Sequence, residues 1–309
     1  MKYVSEFEDG ENVSTVLVVR KKFGLRDYRS KFGKYFVLEA GDKTGNVLIK
    51  YWGNDDSLTE RLYEDIKEGD VVELQGTYQK DTQPSISVDA EYDYIRKIDG
   101  YDVTRFVPAL DNVEEIMNDI FAYVDMVESP HLSRLLDSFF SDEQFVEKFK
   151  EAPWSSYEIY AYLGGLAEHT LNVTKICERL ADIYKVDRDF MLAAALLHDI
   201  GKIESYEIDT TIRQRDSAKL LGHTVIGFNL VESKIKEIVD FPREVRDKLL
   251  HAIISHHSPI VDNVPQRIRT KEAYILFYAD MIDLSLKEFD GGDEEWQYSR
   301  RMGREIYTG

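Results

Sequence analysis

The period of the hydrophobic pattern changes near Val103, and this change divides the chain into two parts of different secondary structure. Before it, short β-branched and apolar runs are separated by turn sequences such as residues 41–45. After it, apolar residues recur every three or four positions, which is the spacing of one face of an α-helix. The chain has 309 residues, enough for two ordinary domains. We therefore expect a small all-β domain followed by an all-α domain.

The first hundred residues predict five strands and one helix. The strands are expected at residues 13–19, 35–38, 47–52, 71–76 and 86–90, and the helix at 57–67. A helix between the third and fourth of five strands is the order of an OB-fold barrel, which binds oligonucleotides across one face. A generic small β-barrel without a ligand is the alternative.

The remaining sequence predicts only helices and a short tail. Residues 111–127 and 129–150 are each expected to form one helix, the second beginning with Pro130 at its first position. We expect the barrel at 1–102, connecting helices at 103–155, a helical domain at 156–290 and a C-terminal tail at 291–309. The tail joins an acidic, glycine-containing stretch to a group of rings and arginines: Trp296, Tyr298, Arg300, Arg301 and Arg304.

Five segments of the helical part carry residue types that bind metals. They contain five of the seven histidines in the chain. Neutral imidazole and carboxylate together suit divalent Mn, Fe, Co, Ni or Zn. Because a carboxylate next to a histidine can bridge two ions, the set favours a binuclear site for hydrolysing phosphate esters. The segments are His169, His198-Asp199, His223, His256-His257 and Asp280.

Each of these residues alone also has a structural explanation. His169 shares an apolar helical face with Leu166 and Val173, where a single histidine is more often a core residue than a ligand. Asp199 at a helix C-terminus opposes the helix dipole and needs a compensating charge. Asp280 lies on the apolar face of the helix at 271–289, and an unpaired buried carboxylate is very costly. Five such segments facing inward together favour a metal site.

Neighbouring residues have predicted supporting roles. Gly201 fits the left-handed residue that ends a helix. Lys202 either caps the last helix carbonyls or places a point charge on a phosphate oxygen. Asp283, one turn after Asp280, is expected to orient a ligand. His251 points to a different face from His256, and we expect it either to support a ligand or to lie on the surface.

The net charge of −19 argues against nucleic-acid binding, but the charge is unevenly distributed. Residues 20–34 contain seven basic side chains and one acidic side chain, with aromatic rings between them. A basic groove with stacking rings holds single strands without reading their sequence; a merely soluble basic loop is the alternative. The candidate nucleic-acid-binding residues are Arg20, Lys21, Lys22, Phe23, Arg26, Tyr28, Arg29, Lys31, Phe32, Tyr35 and Trp52.

The sequence also predicts a location. Its acidic start has no secretory signal, and its longest purely apolar run, residues 190–197, is far shorter than a membrane span. Cys177 is the only cysteine, so an intrachain disulfide is excluded. We expect a cytoplasmic protein with no membrane partner and with Cys177 in the core.

Several motifs resemble a known superfamily. His169, His198-Asp199 and Asp280 resemble the H…HD…D pattern of HD-domain metal phosphohydrolases, and His223 with His256-His257 resembles the variant that holds two metals. Together with the barrel, the strings at 162–170, 196–202, 221–223 and 254–257 resemble the YhaM-type 3′→5′ exoribonucleases over almost the whole chain. That family often carries histidines just before the Gly-Gly turn, where this chain has Ile159 and Tyr160.

The resemblance implies a metal-dependent 3′→5′ exonuclease on single-stranded RNA, with single-stranded DNA as an alternative substrate. The barrel would hold the strand and the HD domain would cut it, with Asp199 and Lys202 as catalytic residues. The resemblance favours two Mn²⁺ ions and allows a homo-oligomer. The first ion would be held by His169, His198, Asp199 and Asp280, and the second by Asp199, His223 and His256, with His257 as an alternative or additional ligand.

Two other functions stay open at this point. One is an HD phosphohydrolase of small nucleotides in which the barrel regulates activity or assembly. The other is a nucleic-acid-binding protein whose metal site is structural. A bridging carboxylate disfavours the second, because structural metal sites rarely need one.

Overall fold

The computed structural model describes residues 1–28, 33–157, 159–257, 266–290 and 295–309. The chain separates into two compact units. The first comprises Met1–Pro108 with Ile208–Thr211, and the second comprises Ala109–Glu207 with Ile212–Gly309. Within the described ranges, no helix combines the length and apolar character needed to cross a membrane.

The first unit is a β-barrel with one helix. All five predicted strands are present, and two further short strands that the sequence did not predict, β2 and β7, join them. The elements are β1 (Asn12–Lys22), β2 (Arg26–Asp27), β3 (Lys34–Asp42), β4 (Gly45–Trp52), α1 (Asp56–Asp65), β5 (Val71–Gln79), β6 (Ser85–Asp89) and β7 (Tyr94–Ile98).

The strand order identifies the barrel as an OB-fold. The order is β1-β3-β4-β6-β5, and β5 also pairs with β1, which closes the sheet. Among the described strands of the barrel, only β4 and β6 pair in parallel, and α1 lies between β4 and β5 in the sequence. Alternate residues of β3 and β4 point into the core, so Phe36, Leu38 and Ile49 are fully buried. The predicted OB-fold is therefore confirmed.

The second unit is mainly helical. Its helices are α2 (Val113–Asp125), α3 (Pro130–Phe140), α4 (Glu143–Glu151), α5 (Gly165–Tyr184), α6 (Arg188–Leu197), α7 (Asp216–Leu221), α8 (His223–Glu237), α9 (Arg243–Ser255) and α10 (Lys271–Lys287). Every residue from 190 to 197 of α6 is buried, and α2 to α5, α9 and α10 contribute to the same core. The predicted helical domain is confirmed.

Three local features differ from the sequence predictions. The single helix expected at 129–150 is wrong, because the chain breaks between α3 and α4. The Asp142 carboxylate accepts bonds from the backbone N–H groups of Gln144 and Phe145, which starts a new helix there. The break lets the rings of Phe140 and Phe149 pack edge to face. The other two features are hairpins, β8 (Tyr206–Ile208) with β9 (Ile212–Gln214) and β10 (Trp296–Ser299) with β11 (Arg304–Tyr307).

Candidate metal centre

The ends and buried faces of five helices bring the predicted ligands together. His169 lies in the second turn of α5, and His198-Asp199 directly follows α6. His223 is the first residue of α8, His256-His257 follows α9, and Asp280 is within α10. Their side chains form two groups, and within each group the ligand atoms lie within 4.8 Å of one another. One group is His169, His198 and Asp280, and the other is Asp199, His223, His256 and His257.

The carboxylate of Asp199 lies between these two groups. Its Oδ2 is 3.6 Å from Nε2 of both His169 and His198. Its Oδ1 is 3.1 Å from Nε2 of His223 and 3.5 Å from Nε2 of His256. Each oxygen thus faces a different set of imidazoles, which is the geometry of a bridging ligand.

Hydrogen bonds fix the orientation of three imidazoles. Nδ1 of His198 donates to the carbonyl of Ala195 at 2.7 Å, and Nδ1 of His256 donates to the carbonyl of Ile253 at the same distance. Nδ1 of His169 lies 2.7 Å from Oδ2 of Asp283. Such partners hold the other ring nitrogen, Nε2, toward the centre with its lone pair free for a metal.

Several buried atoms in the centre have no hydrogen-bond partner among the described residues. They are Oδ1 of Asp199, Nε2 of His256 and both carboxylate oxygens of Asp280. Leaving such groups unsatisfied is costly. In addition, Nε2 of His169 and Nε2 of His198 are only 3.2 Å apart. Divalent cations would satisfy all these atoms, so the residues present fit a metal centre.

The electrostatics agree with that fit. Burial lowers the pKa of His198 to about 4 and outweighs the charge of Asp199. Burial, helped by the Lys202 charge, likewise lowers the pKa of His223 to about 4. Burial opposes the ionisation of Asp199, but Lys202 and the nearby histidines hold the pKa of that carboxyl well below its usual range. The centre therefore presents neutral imidazoles and a charged carboxylate, which are the forms that bind metals.

His169 differs from the other imidazoles because acidic groups surround it. Burial alone would lower its pKa, but the neighbouring carboxylates of Asp280 and Asp283 raise the pKa of His169 to about 9. The pocket thus carries more negative charge than its own side chains neutralise, and a cation would take the place of that proton.

Two aromatic residues that the sequence did not predict support the centre. The indole Nε1 of Trp154 donates to Oδ2 of Asp199 at 2.6 Å. The hydroxyl of Tyr160 donates to Oδ2 of Asp283 at 2.8 Å. A tryptophan in the loop between α4 and α5 has no periodic signal. Tyr160, however, occupies a position where the resemblance expects a histidine, and this difference could have marked Tyr160 as a residue of the site.

Lys202 is buried beside the bridging carboxylate. Its Nζ lies 3.9 Å from Oδ2 of Asp199 and 4.0 Å from the centroid of the Trp154 ring. Burial lowers the pKa of Lys202, Asp199 opposes that change, and the positive charge of Arg301 adds to it. Lys202 lies inside the 3-10 helix Ile200–Glu204.

The expectation for Gly201 is wrong. Gly201 is not left-handed: it lies in that 3-10 helix, and its φ is not positive. Its role is close packing: an added Cβ would lie 2.0 Å from the carbonyl oxygen of His223 and 2.5 Å from the nitrogen of Gly227. Glycine is required because α8 must approach closely enough to place His223 in the centre. His251 lies outside both ligand groups, and its Nε2 accepts the backbone N–H of Arg269.

Three candidate rings of the barrel form one cluster, the aromatic face (Tyr28, Tyr35 and Trp52). The ring centroids of Tyr35 and Trp52 are 5.2 Å apart, and those of Tyr28 and Tyr35 are 5.6 Å apart. All three side chains are half-buried, with Tyr28 directly after β2, Tyr35 on β3 and Trp52 at the end of β4. Such stacked, partly exposed rings suit base stacking.

The predicted basic residues behave differently from one another. The ammonium of Lys22 donates to the carbonyl oxygens of Tyr63 and Ile66 at the end of α1, so its geometry does not support a phosphate contact. Lys21 and Arg26 are exposed, and Nζ of Lys21 is 5.3 Å from the Phe23 ring. Arg20 is half-buried. Arg29, Lys31 and Phe32 lie outside the described residues.

Comparisons with known proteins agree with this geometry. Residues 166–284 match the model of the HD domain, and this range includes every ligand of both groups. The chain is 27% identical to "3'-5' exoribonuclease YhaM" of Shouchella clausii, over 93% of this chain and 88% of that protein. It is 26% identical to the protein of that name in Bacillus subtilis, over 92% and 88%. The chain therefore resembles YhaM-type proteins over almost its whole length.

The match to YhaM-type proteins extends across both units. A third relative, from Listeria monocytogenes, is 25% identical over 94% of this chain and 90% of its own length. Among solved structures, a replication factor A related protein from Methanobacterium thermoautotrophicum matches 33% of this chain and 94% of its own, at 18% identity and a TM-score of 0.28. The OB-fold assignment rests on the strand order rather than on that match.

Proposed function

We propose that this YhaM-type chain is a metal-dependent 3′→5′ exonuclease on single-stranded RNA, with single-stranded DNA as an alternative substrate. The observation that carries the proposal is the carboxylate of Asp199, whose two oxygens face two different groups of imidazoles. The names of the relatives supply the substrate class and the direction, since no residue spacing encodes either.

The ligand groups suit two divalent ions. His169, His198 and Asp280 would hold one ion, and His223, His256 and His257 the other. Asp199 would bridge the ions. When bound, two such ions activate water and stabilise the attacking and leaving oxygens of a phosphodiester. We propose Mn²⁺ on the basis of the resemblance, because the ligand types alone also admit Fe, Co, Ni and Zn.

The chain's own side chains supply orientation and charge. Trp154 fixes the angle of the Asp199 carboxylate through its indole N–H. Asp283 fixes the ring of His169, and the Tyr160 hydroxyl holds Asp283 in turn. Lys202, held over the Trp154 ring, would neutralise charge on a phosphate oxygen.

The barrel would hold the strand through its aromatic face and its exposed basic residues. Among the described residues of the basic segment 20–34, Lys21 and Arg26 are the exposed cations. We also propose a cytoplasmic location, which the buried single cysteine, Cys177, supports. All proposed metal ligands come from one chain, so the centre needs no homo-oligomer for completion.

The decisive experiment uses end-labelled single-stranded RNA with added Mn²⁺. A 5′-labelled strand should give a descending ladder, and a 3′-labelled strand should release labelled mononucleotide at once. Cleavage of a circular RNA would contradict the exonuclease assignment. Hydrolysis of small nucleotides with no loss of polymer would favour a small-nucleotide phosphohydrolase instead.

Metal analysis tests the number of ions separately. The purified chain, loaded with Mn²⁺ and freed of excess, should contain two ions per chain. Chelation should abolish hydrolysis and lower the melting temperature, because ions present at about 100 times their Kd stabilise the folded state by roughly 2.7 kcal/mol. Full activity with a single tightly bound ion would contradict the binuclear centre.

A further inference from the structure

The C-terminal hairpin, β10–β11, is a positively charged exception in an acidic unit. Residues 109–309 contain 23 basic and 37 acidic side chains, a net charge of −14. Residues 296–304, by contrast, contain three arginines and no acidic residue. Among the described residues, no carboxylate lies within ion-pair distance of Arg300, Arg301 or Arg304. Many other basic residues of the unit do form ion pairs. These arginines are therefore available for an anionic ligand.

The turn of the hairpin lies close to the metal centre. Nη2 of Arg301 is 3.4 Å from Sδ of Met281, the residue that follows the ligand Asp280 in α10. The positive charge of Arg301 also contributes to lowering the pKa of Lys202. An exposed guanidinium thus lies beside a centre whose substrate is proposed to be a polyanion.

Local hydrogen bonds hold this turn in a defined conformation. The buried hydroxyl of Ser299 accepts the backbone N–H of Met302 at 3.0 Å, and its carbonyl accepts the N–H of Gly303 at 2.9 Å. Gly303 has a φ of +65°, which a glycine adopts at little cost. The side chain of Gln297 donates to the carbonyl of Glu288, just beyond α10. The turn is therefore fixed before a ligand arrives, which reduces the entropic cost of binding.

A groove of about 640 Å³ lies along the same hairpin. Tyr157 and Tyr298 line it with side chains that are 76% and 64% exposed, and Arg300 lines it as well. Tyr160, on its wall, donates to Asp283, which contacts the ligand His169. The groove thus offers exposed rings and a cation at a place that is two hydrogen bonds from the metal centre.

We propose that the C-terminal hairpin is a substrate clamp, in which Arg301 binds a backbone phosphate and Tyr298 and Tyr157 stack on a base of the strand being degraded. The proposal rests on the proposed function and names a second contact for the same single-stranded RNA, inside the unit that carries the metal centre. A guanidinium binds phosphate oxygens through two parallel N–H donors, and tyrosine rings stack on any base. Neither contact therefore depends on the nucleotide sequence of the RNA, as a general exonuclease requires.

The test compares four variants of the full chain, including Arg301→Lys, on a single-stranded RNA of five nucleotides. Arg301→Gln removes the phosphate contact, and Tyr298→Leu removes a stacking ring. Arg179→Gln is the matched control, because Arg179 is an exposed arginine of the same unit, in α5, ten residues and about 15 Å along the helix from His169. The measurement is kcat/KM with saturating Mn²⁺ at several salt concentrations, with circular dichroism melting curves to verify folding.

Arg301→Gln should lower kcat/KM about tenfold and flatten its logarithmic salt dependence by about 0.7. Tyr298→Leu should lower kcat/KM about tenfold with no change of salt slope, because a ring carries no charge. Arg301→Lys should recover the salt slope but only part of the rate, since lysine lacks the paired donors.

Two results would overturn the clamp. One is wild-type kcat/KM and salt slope in both Arg301→Gln and Tyr298→Leu, and the other is an equal loss in Arg179→Gln. A wild-type chain that degrades no RNA would instead overturn the proposed function itself, so the two failures are distinguishable.

Discussion

The metal centre and the aromatic face use side chains in opposite ways. In the centre, His169, His198 and Asp199 are at most 1% exposed, and each has a neighbouring group that fixes its orientation. On the barrel, the rings of Tyr35 and Trp52 stack on each other and remain half exposed. Chemistry at phosphorus needs a few atoms held in one geometry, whereas strand binding adds many replaceable contacts. Single substitutions should therefore differ in effect by orders of magnitude between the two regions.

The largest effect is expected for Asp199→Asn. A neutral amide cannot bridge two cations, and losing several kcal/mol of transition-state stabilisation reduces the rate about 1000-fold or more. The measurement is kcat on single-stranded RNA, together with ions bound per chain. Asp182→Asn, an exposed aspartate in α5 that pairs with Lys185, is the control and should retain wild-type values. Substantial activity in Asp199→Asn would remove the contrast between the two regions.

A smaller effect is expected for Asp283→Asn, which keeps the shape of the side chain but removes the charge next to His169. Losing such a partner of a metal ligand typically weakens metal affinity or activity about 10- to 100-fold. Titrating the chelator-stripped chain with metal measures the affinity. Tyr160→Phe, which deletes only the hydrogen bond to Asp283, should show a lesser loss. A larger loss in Tyr160→Phe than in Asp283→Asn would contradict the arrangement in which Tyr160 acts on His169 only through Asp283.

On the barrel, Tyr35→Leu is expected to weaken strand binding about tenfold, because one stacked base contributes roughly 1–3 kcal/mol. Fluorescence anisotropy with labelled single-stranded RNA and chelated metal gives the Kd. Tyr94→Leu is the matched control, since Tyr94 lies on β7 at the far end of the sheet order. Equal losses in the two variants would mean that the aromatic face is not the binding surface.

The smallest effect separates two adjacent lysines. Lys21→Gln should weaken RNA binding two- to threefold and flatten the logarithmic salt slope by about 0.7, because Lys21 is exposed. Lys22→Gln should leave the slope unchanged and lower the free energy of unfolding by about 0.5–1 kcal/mol, because Lys22 caps α1. Salt titrations and denaturant melts measure both quantities. A flattened slope in Lys22→Gln would show that the lysine leaves α1 to bind phosphate.

The sequence was most informative where a residue type conflicted with its local surroundings. Asp280 on an apolar helical face and Asp199 at a helix end both needed a compensating charge, and both lie in the ligand groups. The barrel strands were predictable because β-branched runs alternate with turn signals. The break between α3 and α4 was missed because residues 141–142 contain neither glycine nor proline, and the capping role of Asp142 is evident only once the phenylalanine rings pack.

The sequence by itself determined the two folds, their order and the candidate ligands that the structure brings together in two groups. Periodicity and local residue conflicts are properties of short segments, so they are readable without long-range contacts. The tertiary structure decided which atom of Asp199 faces which imidazole, that Trp154 holds this carboxylate, that Lys22 caps a helix, and that the C-terminal arginines lie beside α10. These are contacts between residues far apart in the sequence, and packing alone determines their distances.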